Sequence, residues 1–330
     1  MFSNLSISIP TYERYEAIER NILDNLDCFL KEKIKIYIFD DSSSDKLKRK
    51  VDELIKVYPY IEYIKNKKTL GHDKNFFQAI RTPKSEFIWV IGDSTIINPL
   101  RFKEILMVIQ KNNPNLICLN KDSRIKNHES GLKKDPNFIL ENFGWHLTYT
   151  GATIYKKQCF DHSFFNEADL PRNFPQIYII FNVISIYKDS GIYWLNNNCI
   201  SAFRKSQSYW IKDSINVFIF DWKKAINKLP DTYSEECKHN TELSHSVKTN
   251  IFDFKMFIIL RSYGSFNINI FKNSCDEILA HTNLNRVTLI LIALSPKHIL
   301  FALLKIWRKL KKIISKVYQL RLSNLEQRIK

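Results

Sequence analysis

The chain has 330 residues, 45% hydrophobic and 13% aromatic, which excludes a disordered or fibrous protein and leaves room for one large core with an appendage. Fifty Lys and Arg stand against 34 Asp and Glu, and the net charge of +16 points to an anionic partner. From Lys297 to Lys330 ten basic residues face the single acid Glu326, so this tail holds +9 and the body only +7, the balance of an ordinary globular domain with a basic appendage.

The first ten residues have no basic region followed by an apolar run, so they read as a strand rather than a targeting signal and place the chain in the cytoplasm. Leu5-Ser6-Ile7-Ser8-Ile9 alternates and stops at Pro10, where a backbone donor is lost. Ala17, Ile18, Ile22, Leu23 and Leu26 share one face of a helix. A second strand, Ile34 to Phe39, is broken by the polar run Asp40 to Asp45, and a helix from Lys48 to Val57 and a strand from Ile61 to Ile64 follow. Gly71 to Ile80 predicts a helix, and Phe87 to Ile91 is an apolar run of buried-strand length ending at Gly92-Asp93. Asn98 then caps, and Pro99 opens, another helix. Strands alternating with helices predict a parallel α/β sheet, whose ligands bind beyond the carboxyl ends of the strands. Polar groups stand at three such ends: Pro10-Thr11-Tyr12, Asp40-Asp41 and Asp93-Ser94-Thr95.

The middle of the chain is less regular. Asn115 to Leu119 predicts a strand, residues 120 to 143 mostly loop, and Thr148 to Tyr155 a strand through Gly151. Pro175 to Tyr187 predicts a helix, Ile192 to Leu195 a short strand, and residues 205 to 285 helices joined by loops. Trp145 and His146 fit either an aromatic platform for a sugar or a core pair with a polar edge, and Arg204 either a phosphate contact or a surface ion pair. Six well-separated cysteines, with no C-x-x-C pair and no histidine at zinc spacing, read as buried reduced thiols.

Four stretches carry a resemblance: Ile7-Ser8-Ile9-Pro10-Thr11-Tyr12-Glu13-Arg14; Ile36 to Asp45 with its Asp40-Asp41; Asn66 with Leu70-Gly71-His72-Asp73-Lys74-Asn75; and Phe87 to Asp93. In this order they resemble a family 2 glycosyltransferase of the GT-A type. Gly92-Asp93, Gly144-Trp145 and Thr150-Gly151-Ala152 are most similar to its abequosyltransferase-like branch. The likeness covers residues 5 to 95 and fades beyond 155. It implies a GT-A, Rossmann-like α/β fold, a mixed sheet flanked by helices, with a helical C-terminal extension. The expected organisation is a catalytic domain over 1–204 (nucleotide-sugar half 1–110, acceptor half 111–204), a helical extension over 205–285 and a membrane-associating tail over 286–330.

The resemblance also implies an activity: inverting transfer of a sugar from a nucleoside-diphosphate-sugar donor to a growing surface saccharide, of lipopolysaccharide, lipooligosaccharide or capsule type. By this likeness Pro10, Thr11, Tyr12 and Asp41 hold the nucleoside, and a carboxylate such as Asp41 can accept from a pyrimidine imide N–H. Lys74 and Asn75 occupy donor-contact positions, although an ordinary helix charge and an ordinary helix polar residue are the alternatives. Where relatives carry a D-x-D run that holds ribose and a divalent metal, Mn²⁺ or Mg²⁺, this chain has Asp93-Ser94-Thr95, leaving Asp93 with Thr95 as a neutral second oxygen. The general base that inversion requires falls on Glu167 or Asp169 by proximity to the helix at Pro175. The rival reading is a scaffold on a sugar-nucleotide fold that has lost its chemistry.

Residues 287 to 304 approach the length of a membrane span, but Pro296-Lys297-His298 interrupts them. A lysine at mid-membrane costs about 2.5–3.5 kcal/mol on insertion scales, and neither flanking apolar run approaches the roughly 20 residues a span needs. After Pro296, Ile299, Leu303, Ile306, Trp307, Leu310, Ile313, Ile314 and Val317 share one helix face, with Lys305, Lys309, Lys312 and Lys316 opposite. A basic amphipathic helix with tryptophan at its boundary fits an anchor lying in the plane of an anionic membrane, ahead of a helix packed on its own domain or on a partner. The body lacks basic-aromatic motifs, so nucleic acid is not an expected partner. The location expected is the inner face of the cytoplasmic membrane.

Overall fold

The computed structural model describes residues 4–160, 165, 167–187, 190–203, 209–307 and 309–310. It divides into two compact units, Met1–Ser206 with Phe220–Glu242, and Gln207–Ile219 with Leu243–Lys330.

The first unit is built on one mixed sheet. Its elements run β1 (Leu5–Thr11), α1 (Tyr15–Asp24), α2 (Leu26–Glu32), β2 (Lys35–Asp40), α3 (Lys46–Val57), β3 (Ile61–Lys65), α4 (His72–Arg81), β4 (Phe87–Val90) and β5 (Thr95–Ile97). They continue as α5 (Pro99–Asn112), β6 (Leu116–Lys121), β7 (Gly131–Lys133), α6 (Pro136–Leu147), β8 (Thr153–Lys156), α7 (Pro175–Ile186) and β9 (Ile192–Ala202). The strand order is β3-β2-β1-β4-β8-β6-β9-β5, with β7 paired to β9. From β3 to β4 the pairing is parallel, as the alternation of strands and helices predicts. Ile7, Ile9, Ile36, Ile38, Ile88 and Val90 are fully buried there, because helices cover both faces of a parallel sheet. Next, β8 runs antiparallel to both β4 and β6, so β6 points the same way as β4. β9 runs parallel to β6.

Several elements differ from the sequence expectation. Residues 120 to 143 are not mostly loop: β7 pairs with β9, and α6 begins where the Asp135 side chain accepts from the Phe138 amide and Pro136 stands at the first turn. The strand expected from Thr148 starts only at Thr153, after α6 has run to Leu147 and a 3₁₀ turn has carried Thr150–Ala152. Thr95, placed in a loop, opens β5, which pairs antiparallel with the far end of β9. β9 itself is 11 residues long, kept in register with β6 by irregularities around Asn120. Leu23 is exposed rather than buried: the helix it sits on stops at Asp24, and α2 begins at Leu26.

The expected boundary at 204 also moves. α8 (Trp222–Asn227) and the start of α9 (Glu235–Thr249) belong to the first unit, where the Trp222 ring meets Phe174 edge-on at 5.1 Å and the Tyr233 hydroxyl donates to the Phe181 carbonyl at 2.7 Å.

The second unit is helical, with α10 (Phe254–Ser262), α11 (Ile268–Asn273), α12 (Cys275–Ala280) and α13 (Arg286–Leu294) around a chain of rings, Phe252, Phe257, Phe266 and Phe271. A further helix, Lys297–Trp307, leaves α13 at a bend of 94°. Among the described residues no single helix is long and apolar enough to cross a membrane, although these two bent helices together have the length and composition of a span. The expected amphipathic positions Ile313, Ile314 and Val317 with Lys312 and Lys316, and also Arg204, lie outside the described residues.

Candidate active site

Strand order reverses at β1: the chain goes from β1 outward to β2 and β3, then returns to place β4 on the other side. The crevice at the carboxyl ends of β1 and β4 is therefore the topological switch point where such sheets bind ligands. Because β2, β1 and β4 are parallel neighbours, the three polar clusters predicted from sequence do share one rim. Asp41 and Asp93 stand two strand spacings apart, about 10 Å, on either side of β1.

Each cluster is held by identifiable bonds. Asp41 is buried, and its carboxylate accepts from the amides of Leu70 at 2.7 Å and Gly71 at 2.8 Å and from the Asn66 side chain at 2.9 Å. Gly71 caps α4 with φ of 87°, a left-handed conformation that glycine adopts freely. Asp41 thus shapes the wall between β2 and α4, and a carboxylate with three donors has one lone-pair position left for a ligand. Asn75 is buried behind it, donating to the Phe39 carbonyl at 3.1 Å and accepting from Asn66 at 3.1 Å. Asp40 is tied down by the Tyr63 hydroxyl at 2.7 Å and Lys65 at 3.3 Å.

The end of β1 is different. The strand does not stop at Pro10, which pairs with Phe39 inside β1, but runs on to Thr11, and Thr11 is buried with its hydroxyl unpartnered, the kind of polar atom a ligand satisfies. Tyr12, the residue after β1, is 54% exposed. Arg14 Nε lies 3.5 Å from a carboxylate oxygen of Asp93, which is itself buried.

Beyond β4 the chain is pinned from below. Asn21 of α1 and Asn25 donate to the Thr95 carbonyl at 2.7 and 3.1 Å, and the Asn25 side-chain oxygen accepts from Ile97 N at 2.7 Å. Two buried asparagines at i and i+4 on a helix face otherwise apolar are a readable signal, since buried amides require partners. The Thr95 hydroxyl turns inward to the Tyr149 hydroxyl at 2.9 Å, and the Ser94 carbonyl accepts from Phe203 N at 3.1 Å. Thr95 is therefore engaged as structure rather than offered as a second metal oxygen, and Asp93 remains as the one carboxylate of the Asp93-Ser94-Thr95 run. No group of three or more His, Cys, Asp or Glu able to hold a metal occurs among the described residues. This donor set fits a hard divalent ion resting on Asp93 and completed by ligand oxygens, not one enclosed by the protein.

On the other side of β4, the 3₁₀ turn before β8 is held by the Trp89 indole, which donates to the Gly151 carbonyl at 2.9 Å. A side chain at Gly151 would come within 3.1 Å of the Tyr149 ring, so glycine permits this close approach. Burial and the nearby Asp122 and Asp93 carboxylates push the Tyr149 hydroxyl up to about 12 against its hydrogen bond to Thr95, so it stays protonated. Trp145 and His146 are both buried: the indole donates to the Asn142 carbonyl at 3.0 Å, and His146 Nε2 accepts from Lys121 N at 3.1 Å. Burial holds the His146 imidazole down to about 4, neutral. They are a core pair, and the alternative of a sugar platform is not met.

The 3₁₀ turn Glu167–Asp169 brings together two residues predicted separately. Glu167 pairs with Lys74 at 2.9 Å, and both line a groove of about 510 Å³ with Lys67, Lys68 and Arg81. Asp169 takes part through its carbonyl, which accepts from Lys228 at 3.1 Å. Arg14 and Asn66 lie in the stretches that carry the resemblance but have no local signal for their roles, and Tyr149 has none either, because the partners of all three are distant in sequence.

The Glycosyl transferase family 2 model matches residues 6–165. Abequosyltransferase RfbV of Salmonella typhimurium is 24% identical over 204 residues, 55% of this chain and 61% of that protein, so the match spans about three fifths of this curated relative. Among solved structures, S. aureus TarS 1-349 superposes with a TM-score of 0.55 at 14% identity, covering 85% of this chain and 89% of that one. The mannosyltransferase PcManGT from Pyrobaculum calidifontis, in complex with GDP-Man and Mn²⁺, also gives 0.55 at 12% identity, covering 94% and 88%. Residues 6–165 thus match a family 2 glycosyltransferase domain and are similar to an abequosyltransferase, and the sheet and its helices have the GT-A fold.

Proposed function

We propose that this protein is a glycosyltransferase that binds a nucleoside-diphosphate sugar at the β1/β4 crevice and transfers the sugar, with inversion, to a growing surface saccharide. The observation that carries the reading is the rim itself: three parallel strand ends put Thr11, Tyr12, Asp41 and Asp93 around one switch-point crevice. The unpartnered Thr11 hydroxyl and the exposed Tyr12 ring suit a nucleoside, one by a hydrogen bond and the other by stacking. The neighbours' titles fit this donor class, since TarS is solved with UDP-GlcNAc and PcManGT with GDP-Man. When bound, a divalent ion on Asp93 would neutralise the leaving diphosphate. Arg14, at the same carboxylate, adds fixed positive charge to that side of the crevice. Lys74 and Asn75 stand behind the Asp41 loop, where Lys74 can reach donor phosphate only by leaving Glu167.

The acceptor we infer is lipid-linked, and the protein works at the cytoplasmic face of the membrane. Leu291, Leu294, Ile299, Leu303, Ile306 and Trp307 are exposed on the two bent helices of the second unit, beside the lysines of a tail with net charge +9. Apolar side chains and adjoining cations are what an anionic lipid surface takes up in-plane, each surface lysine adding about 1 kcal/mol.

The test is a thermal-shift panel of UDP-, GDP-, CDP- and dTDP-sugars on the full chain, followed by nucleoside-diphosphate release with and without Mn²⁺. One nucleotide class should raise the melting temperature, because ligand that binds only the native state stabilises it. A protein that neither binds nor turns over any of them is a scaffold.

A further inference from the structure

We propose that Asp122, at the carboxyl end of β6, is the catalytic base that takes the proton of the acceptor hydroxyl. This deepens the glycosyltransferase reading and rests on it. The argument begins with strand direction. β8 is antiparallel to β4 and to β6, so β6 ends on the same rim as β1, β2 and β4. Asp122 follows the last residue of β6 directly and stands two strand spacings from β4, about 10 Å, on the side away from Asp41. A donor lying between Asp41 and Asp93 therefore has Asp122 beyond its sugar end, where an incoming hydroxyl must approach for inversion.

The carboxylate is exposed, whereas Asp40, Asp41 and Asp93 on the same rim are buried. It is aimed by a specific backbone: the chain leaves β6 through two consecutive left-handed residues, Asp122 with φ of 54° and Ser123 with φ of 50°. Neither is glycine, and two such residues in succession fix the path of the chain as it leaves β6. Here the Asp122 amide donates to the Ile200 carbonyl at 3.0 Å and the Arg124 amide to Lys121 at 3.2 Å. The Lys121 ammonium pairs with Asp122 while lying 5.0 Å from the centre of the Tyr149 ring, and Tyr149 bonds Thr95, two residues from Asp93. Beside burial, both the Asp122 and the Asp93 carboxylates raise the Tyr149 phenol, so both acids lie within electrostatic reach of one ring.

The other acids expected to serve are differently placed. Glu167 stands with Lys74, Lys67, Lys68 and Arg81 in the groove beside α4 rather than at the end of β6, and Asp169 takes part through its main-chain carbonyl, which accepts from Lys228. In the step itself the acceptor oxygen forms a bond to the anomeric carbon as its proton passes to Asp122. The bond from that carbon to the diphosphate oxygen breaks, and the nucleoside diphosphate leaves with the electron pair.

Asp122→Asn tests this cleanly, because asparagine tolerates the left-handed backbone and keeps the side-chain shape. The full chain is incubated with the nucleotide sugar that gives the largest thermal shift, using water and a set of methyl glycosides as acceptors. Asp122→Asn should bind that donor with an unchanged thermal shift, release nucleoside diphosphate about 10²–10⁴-fold more slowly, and lose the acid limb of the pH–rate profile. Release within threefold of the parent overturns the assignment, as does an equal loss from Glu167→Gln or Asp169→Asn with Asp122→Asn at parental rate. Failure of the parent to bind any nucleotide sugar is a different result, which defeats the glycosyltransferase reading and this assignment with it.

Discussion

The two halves of the first unit reach the same rim by different routes. From β3 to β4 every strand runs the same way, so each rim group comes from the loop that follows a strand, and the loops are braced by buried carboxylates such as Asp41 on main-chain amides. Across β8 the direction alternates. Rim groups there come from the loop before a strand, as with Tyr149 and Gly151, or from the end of β6, as with Asp122, and they are braced by rings and by left-handed residues. A parallel half thus advertises its site at each strand's end, while a mixed half disperses it among loops of both senses.

If the division is right, perturbing the two halves has different consequences. The largest effect falls on the crevice: Asp93→Asn should cost about 10²–10³-fold in nucleoside-diphosphate release, the magnitude of losing one charge-stabilising group, with the melting temperature little changed. Comparable release from the variant and the parent at saturating Mn²⁺ would remove Asp93 from the chemistry. Asp41→Ala should instead act on stability, losing about 3 kcal/mol by urea denaturation, because the Leu70 and Gly71 amides lose a charged acceptor.

His146 sharpens the contrast from the acceptor half. Its native imidazole stays neutral down to about 4, whereas the unfolded chain takes up a proton near 6.5. The native state is therefore at full strength above pH 6.5 and weakens as pH falls toward 4, by about 3 kcal/mol from this group. Urea midpoints from pH 7 to pH 4 should show a steeper fall for the parent than for His146→Gln. Gly151→Ala comes next, at about 1–3 kcal/mol, since the new methyl group meets Tyr149 and Thr95 at 3.1 to 3.3 Å; a melting temperature equal to the parent's would show that the turn gives way freely. Smallest in folding terms is Leu303→Glu, within about 0.5 kcal/mol because the side chain is exposed. That variant should nonetheless lose retention on phosphatidylglycerol vesicles, and full retention would count against the membrane face.

Much of the donor half was legible because its signals are local. The alternation of Leu5 to Ile9, the apolar run Phe87 to Ile91 and the Asn98-Pro99 start each specify an element within a few residues. α6 was missed although Asp135-Pro136 marks its start, because its face is apolar nearly all round and gives no helical stripe. β5 was missed because three residues carry no period at all. For the site, the positions of Asp41 and Asp93 were readable, but not their partners: Asp41 is engaged by amides 29 and 30 residues away, and Thr95 by a tyrosine 54 residues away.

Charge, hydrophobic period and capping residues are properties of short stretches of chain, and from them came the alternating strands and helices up to Asn112 and the basic tail. Which strand ends meet is a property of pairing between distant stretches. The reversal of β8, the inward turn of Thr95 and the presence of Asp122 on the same rim as Asp93 were decided by tertiary structure, because antiparallel pairing and buried hydrogen bonds are satisfied only once the sheet has closed around them.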